Sequence, residues 1–433
     1  MTKKYDYPLW AVQAKLLLSY FASLSGDQEL ASAIMGEHAM YTLIYEQRRQ
    51  ILAKDSSETA RLDWSSWANR ESWKRLLGAM YVLSTLYTII YDVTPNFNAT
   101  QDLAIEVYQE TLWNAKTAID WSQLKMMGQS QDSLTLKEIL EDIMAGNNRR
   151  HGREVAPYQV SPFSALVLMH SMIVHIWHVM QVALSYTQMS PTSDPSYDSF
   201  GLSILDAEWR RISRCDTLLK SSQEGLSHGL EEDEVASLKF SSKAILRVAF
   251  TRLCGAGSAF NRLAFLTPDP HALEAAVCSF ASSDMQRSPQ LLRAVATSIE
   301  GLSIPIKMGH MIIRKTAAFR WSFEQGAAYW DITLFVTRWV HLLEMDELRG
   351  IELNPDEKQL MTTLRDLLQE VDYDPGSGES LAAALARTFA WFLKDVWVWS
   401  ITPRMGAVLE QLGTAYERAQ STHRRQYSLS THT

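Results

Sequence analysis

Cysteine is scarce in this chain: three in 433 residues, at Cys215, Cys254 and Cys278, separated by 39 and 24 positions. No CxxC pair occurs, so neither a disulfide framework nor a zinc module can be assembled from them. A reducing compartment fits this usage. The N-terminal MTKKYDYPLW lacks the apolar core of a signal peptide. Strand signals are missing as well, since no run of strict alternation is bounded by turn residues. A basic excess is also absent. Lys and Arg total 41 against 49 Asp and Glu, a net charge of −8, which argues against phosphate-backbone binding as the main activity. The acidic residues are too dispersed to form an acidic tail. Clustered carboxylates of the kind that hold magnesium and a diphosphate are lacking too. The nearest runs, Glu138 to Asp142 (EILED) and Glu231 to Glu234 (EEDE), do not have the aspartate-rich spacing of an all-α isoprenoid enzyme.

What remains is apolar and helical. Hydrophobic content of 46% with 21% charge is that of a folded chain, and the length permits one large core or two ordinary ones. Fourteen tryptophans, many inside helical patterns, point to a thick aromatic core. Three-to-four spacing predicts helices at Leu9–Leu24, from Asp27 past Ile44, at Asp102–Asn114, from Ala118, and at Leu134–Met144. It predicts others at Ser161–Tyr186, Ser203–Gln223, Glu232–Arg252, His271–Ala281 and Gln290–Ile299. Ile304-Pro305 is read as opening a further helix to about Phe319, followed by Ser322–Glu344, Asp356–Val371, Leu381–Trp399 and Arg404–Gln420. The turn Asp374-Pro375-Gly376-Ser377-Gly378 separates two of these. The expectation is an all-α fold, a large multi-helix regulatory domain over 1–422. A loop or linker is expected at 187–201, and a frayed tail at 423–433.

The stretch Trp64–Pro95 organises this reading. Apolar residues recur at Trp73, Leu76, Leu77, Met80, Leu83, Leu86, Tyr87 and Ile90, one face of a helix. Tyr81, Val82 and Ile89 add bulk on other faces, so the helix is buried on more than one side. The segment from Asp92 to Pro95 stops it. Its early turns carry Arg70, Glu71, Lys74 and Arg75. Cations there oppose the macrodipole and call for a carboxylate partner. The turn is either a helix end pinned by ion pairs to another helix or a solvated charged surface.

Other patterns carry chemistry only weakly. His170, His175 and His178 share one helix, but at separations of five and three and without a carboxylate on it. Metal pairs on helices prefer a separation of four, so these read as core or groove histidines. Cys254-Gly255-Ala256-Gly257 lacks the strand, third glycine and lysine of a phosphate loop, and reads as a helix-ending turn. Leu409–Gln420 (LEQLGTAYERAQ) looks like half a tetratricopeptide repeat with no second copy. The pairs Trp64/Trp67 and Trp397/Trp399 suit packing or a ligand groove. Ser161–Tyr186 is long and apolar enough to span a membrane. Its three histidines, its glutamine and the absence of flanking lysines or arginines at its C-terminal end favour a buried central helix with no transmembrane span.

Trp64, Trp67, Glu71, Lys74 and Arg75 form WxxWxxxExxKR ahead of a long apolar helix that contains Trp73, and this resembles the fungal-specific transcription factor domain. Further stretches resemble the same family in order. They are Leu112-Trp113-Asn114-Ala115 with Asp120-Trp121, then Ser161-Pro162-Phe163 leading to His170, and Glu208-Trp209-Arg210. After these come Ile304-Pro305 with Gly309, Trp321-Ser322, Trp330-Asp331 and Trp339. The match is most similar to the branch that follows classical paired zinc fingers. The resemblance implies a nuclear, non-enzymatic transcriptional regulator of a metabolic or secondary-metabolite gene cluster, with these motif residues in structural or regulatory roles. Implied partners are other transcription factors or co-regulators, a small-molecule effector and a second copy in a homodimer, with no membrane. No cofactor is expected in this chain. Zinc and promoter DNA would be bound only through an N-terminal module that these residues do not include. The alternative is a DNA-free interaction protein that dimerises with related factors.

Overall fold

The computed structural model describes all residues except 1–6, 55–61, 128–133, 147–157, 159, 190–194, 225–231, 256–261, 284, 310, 314, 317–321, 372–379, 397 and 431–433. Trp321, Trp397, Ala256-Gly257 and the turn Asp374–Gly378 therefore lie outside the described residues. The elements begin with α1 (Leu9–Ser23), α2 (Gln28–Gly36), α3 (His38–Lys54), α4 (Trp64–Tyr91), α5 (Glu110–Trp113), α6 (Ala118–Met127) and α7 (Leu136–Ala145). Then come α8 (Pro162–Met189), α9 (Pro195–Glu224), α10 (Glu232–Cys254), α11 (Pro270–Ala281) and α12 (Pro289–Met308). The last are α13 (Phe323–Leu348), α14 (Pro355–Gln369), α15 (Leu381–Asp395) and α16 (Ile401–Ser430). Among the described residues the β structure is a single antiparallel bridge, Glu106 with Thr135. The fold is all-α, as the periodicity predicts.

Two compact units emerge. The first comprises Met1–Phe21, Ser32–Thr88 and Thr94–Ala249; the second comprises Ala22–Ala31, Ile89–Val93 and Phe250–Thr433.

In the first unit, Asp63 starts α4 by accepting the Ser66 N–H at 2.7 Å. Every residue of the predicted face from Trp73 to Leu86 and Tyr87 is buried, and so are Tyr81 and Val82. Ser161 caps α8 by accepting the Ser164 N–H at 3.2 Å, and Pro162 follows where a missing N–H costs nothing. The apolar window Pro162–Ala183 is 67% buried inside the protein, as a core helix is. Thr135 and Glu138 close a capping box on α7, and Gly146 ends it at φ 74. Arg214 on α9 then donates to the helix-end carbonyls of Ile143 at 2.5 Å and Met144 at 2.9 Å.

Local pattern misleads in several places. The helix expected over Asp102–Asn114 is instead a 3-10 turn at Gln101–Leu103, an extended segment, and the short α5. Val107 N–H donates to Leu134 O at 3.0 Å, and Leu136 N–H to Ile105 O at 2.9 Å. Burial of Leu103, Ile105 and Tyr108 fixes this tertiary pairing. The linker expected over 187–201 is shorter, because α8 runs to Met189 and α9 starts at Pro195. Ile304-Pro305 opens no helix. Pro305 sits inside α12, which continues to Met308 and ends at Gly309 with φ 82. Leu302, Pro305 and Ile306 extend its buried face, and that burial outweighs one missing hydrogen bond. The last helix begins before Arg404 and runs to Ser430, taking in most of the stretch read as a frayed tail.

In the second unit α15 and α16 approach closely. A Cβ on Gly406 would lie 2.7 Å from Ala390 O and 2.8 Å from Lys394 Cγ, and one on Gly413 would lie 3.3 Å from Ala383 O. Backbone oxygen cannot swing aside, so Gly406→Val is expected to lower unfolding free energy by about 2–3 kcal/mol. Urea unfolding reads this directly. A midpoint equal to the wild type would show that the helix pair has room to spare.

Candidate functional site

The charged turn of α4 is buried in the first unit rather than solvated. Glu71 and Lys74 are only 1% and 3% exposed, and Arg70 is buried with them. Lys74 Nζ lies 2.8 Å from Glu71 Oε2 and donates to Val107 O at 3.1 Å. Arg70 donates to Leu52 O at 2.9 Å and to Glu106 Oε1 at 3.2 Å. Arg75 makes a two-pronged pair with Glu110, at 3.0 and 3.3 Å, and lies 4.6 Å above the Trp113 ring. Glu71 also accepts the Gln109 N–H at 3.3 Å. Three cations (Arg70, Lys74, Arg75) thus meet three carboxylates (Glu71, Glu106, Glu110). The partners come from the extended segment and from α5, so the turn pins a connecting segment more than it pins another long helix.

Gly78 lets this segment approach α4. A Cβ there would fall 2.3 Å from Tyr108 Oη and 3.0 Å from Phe163 Cε1. Tyr108 and Phe163 pack at 4.7 Å between ring centres.

A second network lies in the second unit. Asp331 sits mid-helix on α13 and is buried. Its carboxylate accepts from Thr251 Oγ1 at 2.7 Å and from Arg262 at 2.5 Å, and lies 2.8 Å from Arg252. Arg252 also donates to Asp92 at 2.5 Å and to Ile89 O at 2.6 Å, and Arg262 donates to Ile89 O at 3.1 Å. The two guanidiniums therefore cap the C-terminal end of α4, where Asp92 adopts φ 58. Burial pushes the Asp331 carboxyl up, but Arg252 and Arg262 outweigh it and hold it below its ordinary value. Beside this network Tyr91, Arg262, Phe265, Trp330, Arg404 and Met405 line a cleft of about 10 Å³, room for about one water.

Glu344, also on α13, accepts from the Leu381 N–H at 2.6 Å, the Ala382 N–H at 3.4 Å and Gln420 Nε2 at 2.9 Å. Burial nevertheless pushes its pKa up to about 7. Its folded pKa lies above its unfolded value, so its contribution to stability is present at low pH and is lost as pH rises through about 7. Buried His170 (about 3) and His341 (about 4) pull the opposite way. The difference between wild type and Glu344→Gln isolates the glutamate. Wild-type stability relative to the variant is expected to fall by about 2 kcal/mol between pH 4.5 and 7. Parallel curves would show that Glu344 ionises normally.

The remaining motif residues are placed as follows. Trp67 packs on Trp121 at 5.7 Å, and Lys125 lies 4.5 Å above the Trp121 ring. Trp64 and Trp209 are half-buried, as is Phe163, while Pro162 and Pro305 are buried. Trp330 and Trp339 are among the largest fully buried or nearly buried side chains of the second unit. Trp399 packs edge-on to Phe323 at 5.7 Å. Trp67 and Trp399 thus each have an aromatic packing partner. His170 is wholly buried with both ring nitrogens unbonded. His175 Nε2 pairs with Glu208 at 2.8 Å, and His178 Nδ1 bonds to Val174 O at 2.8 Å. These histidines thus face different partners. No group of three or more His, Cys, Asp or Glu with metal-site geometry occurs among the described residues.

Motif reading singled out Glu71, Lys74, Arg75 and the Trp330-Asp331 pair. It missed Glu106, Glu110, Arg252 and Arg262. One signal was available for the second network: an aspartate amid the mainly apolar stretch 326–336 of α13 demands a cation from elsewhere.

These helical units with buried charge networks have the residues of a known class. The chain belongs to the fungal-specific transcription factor domain family. The family described as fungal specific transcription factor domain matches residues 2–211, and that described as fungal transcription factor C-terminal domain matches residues 259–411. Similar relatives include transcription factor opdJ of Penicillium oxalicum, 27% identical over 175 residues, which are 38% of this chain and 20% of that protein. A transcription factor of Zymoseptoria tritici is 21% identical over 184 residues, 38% of this chain and 19% of its own length. Transcription factor PfmaH of Pestalotiopsis fici is 23% identical over 119 residues, 26% of this chain and 12% of its own. The matched part of this chain spans a fifth or less of these curated relatives. No solved structure matches the chain.

Proposed function

We propose that the chain acts as the regulatory domain of a fungal transcriptional regulator, in the nucleus, and not as an enzyme. The observation that carries this reading is the ordered pair of family matches over 2–211 and 259–411. In this reading promoter DNA is held by a separate zinc-based module, in keeping with the net charge of −8. In this reading each helical unit presents surface to co-regulators, and its own buried network holds its helices together. Fusing residues 1–433 to a foreign DNA-binding domain tests it. Reporter expression is expected to change by several-fold relative to that DNA-binding domain alone. An unchanged reporter with a folded, nuclear fusion, under every nutrient condition tried, would overturn the proposal.

A further inference from the structure

The outer face of α10 carries a row of cations that the fold leaves unpaired. Lys239, Lys243 and Arg247 stand four positions apart, so they line one side of the helix in steps of about 6 Å along its axis. From Ser241 to Ala249 every side chain is buried except Lys243 and Arg247, which are half-buried. Lys239 and Phe240, a turn earlier, are half-buried as well, and Ala236 is exposed. Phe240 precedes Lys243 by three positions and Arg247 by seven, so it flanks the row on the same side of the helix. None of the three cations has an ion pair, hydrogen bond or ring contact among the described residues. Elsewhere in the first unit Arg70, Lys74, Arg75 and Arg211 each meet a carboxylate. No Asp or Glu occurs on α10 from Ala236 to Cys254. Like charges at i and i+4 work against a helix, and a carboxylate set opposite each cation would remove that repulsion.

We propose that this face of α10 docks an acidic amphipathic helix of a partner protein. The partner's carboxylates, four residues apart, lie against Lys239, Lys243 and Arg247, and an apolar side chain lies against Phe240. Charge complementarity carries the choice of occupant. In a chain of net charge −8, three unpaired cations on one face are a local inversion of sign, and they select an anionic partner. Spacing carries its form, because glutamates at i, i+4 and i+8 of a second helix rise by the same steps of about 6 Å. The half-buried stems contribute as well. Lys and Arg that already lay their methylenes on the protein surface have less side-chain freedom to lose on pairing. A nucleic-acid backbone fits less well, since the rest of this acidic chain repels a long polyanion. The proposal rests on the regulatory reading only in taking the partner to be a co-regulator; the face and its ligand chemistry are tested on the purified chain.

Fluorescence anisotropy tests it, with the full 433-residue chain titrated into a labelled helical peptide that carries glutamates at i, i+4 and i+8 and leucines beside them. Wild type should bind with a Kd on the order of tens of micromolar, weakening as salt is raised. Lys239→Gln, Lys243→Gln and Arg247→Gln together should weaken binding by about ten-fold, with unchanged far-ultraviolet circular dichroism. Lys243→Gln alone should weaken it by a smaller factor, and keeps the test readable with a single change of side chain. Arg424→Gln, which removes an exposed cation on α16, should leave it unchanged. No binding by wild type, or equal binding by wild type and the folded triple variant, would overturn the proposal. A labelled single-stranded oligonucleotide that binds wild type more tightly than the peptide does, through the same three residues, would overturn it in favour of nucleic acid. A reporter fusion that remains active while the peptide fails to bind would overturn this proposal and leave the regulatory reading standing.

Discussion

Asp331→Ala is expected to lower the unfolding free energy of the second unit by about 3–5 kcal/mol. The substitution removes the carboxylate that Arg252, Arg262 and Thr251 share. Arg262 is only 11% exposed at its side chain, and with Asp331 gone its remaining partner among these contacts is the carbonyl of Ile89. Arg252 keeps Asp92. One cation is thus left without a counter-charge in a low-dielectric setting, which costs more than the pair itself contributed. Desolvation and pairing nearly cancel in the intact network, so the large number belongs to breaking it. Replacing Asp331 and Arg262 together by apolar residues of similar volume should cost less than Asp331→Ala alone. Urea unfolding of the three proteins, followed by tryptophan fluorescence, reads both statements. A loss under about 1 kcal/mol in Asp331→Ala would mean that water reaches Arg262 and that the network is not dry.

Trp73→Ala is expected to cost about 3–5 kcal/mol in the first unit. Trp73 lies on the buried face of α4, 7% exposed. The Arg48 guanidinium sits 4.0 Å above its ring, and Arg48 also donates to Tyr7 O at 2.9 Å. Removing the ring therefore opens a cavity and strips a cation of its aromatic face. Trp73→Phe should retain most of the packing and lose less. Equal losses for the two variants would place the energy in the indole edge rather than in volume.

The long helices were legible because their burial follows one periodicity. From Trp73 to Ile90 every predicted core position of α4 is buried; at the helix stops Gly146 adopts positive φ freely, and Asp92 tolerates it better than most side chains. Contacts between segments distant in sequence were not legible. Nothing local marks Glu106 and Glu110 as partners for Arg70 and Arg75, because the extended segment that carries Glu106 and leads into α5 with Glu110 is held by Ile105 and Val107 pairing near Thr135. The same cause hid Arg252 and Arg262, which lie 79 and 69 positions before Asp331. Pro305 misled in the other direction: a proline read as opening a new helix lies inside one whose buried face is continuous. Of the family motif, Glu71, Lys74 and Arg75 lie in a charge network of the first unit, and Trp67, Trp73, Trp330 and Trp339 are buried within their own units.

Transcript profiling of a strain lacking this gene tests the central claim most directly. Deletion is expected to change a coherent set of transcripts, and reintroducing the wild-type gene to restore them, while a gene carrying Asp331→Ala does so poorly. A transcriptome indistinguishable from the parent strain in every growth condition tried, with the protein known to be expressed in the parent, would contradict a role in transcription.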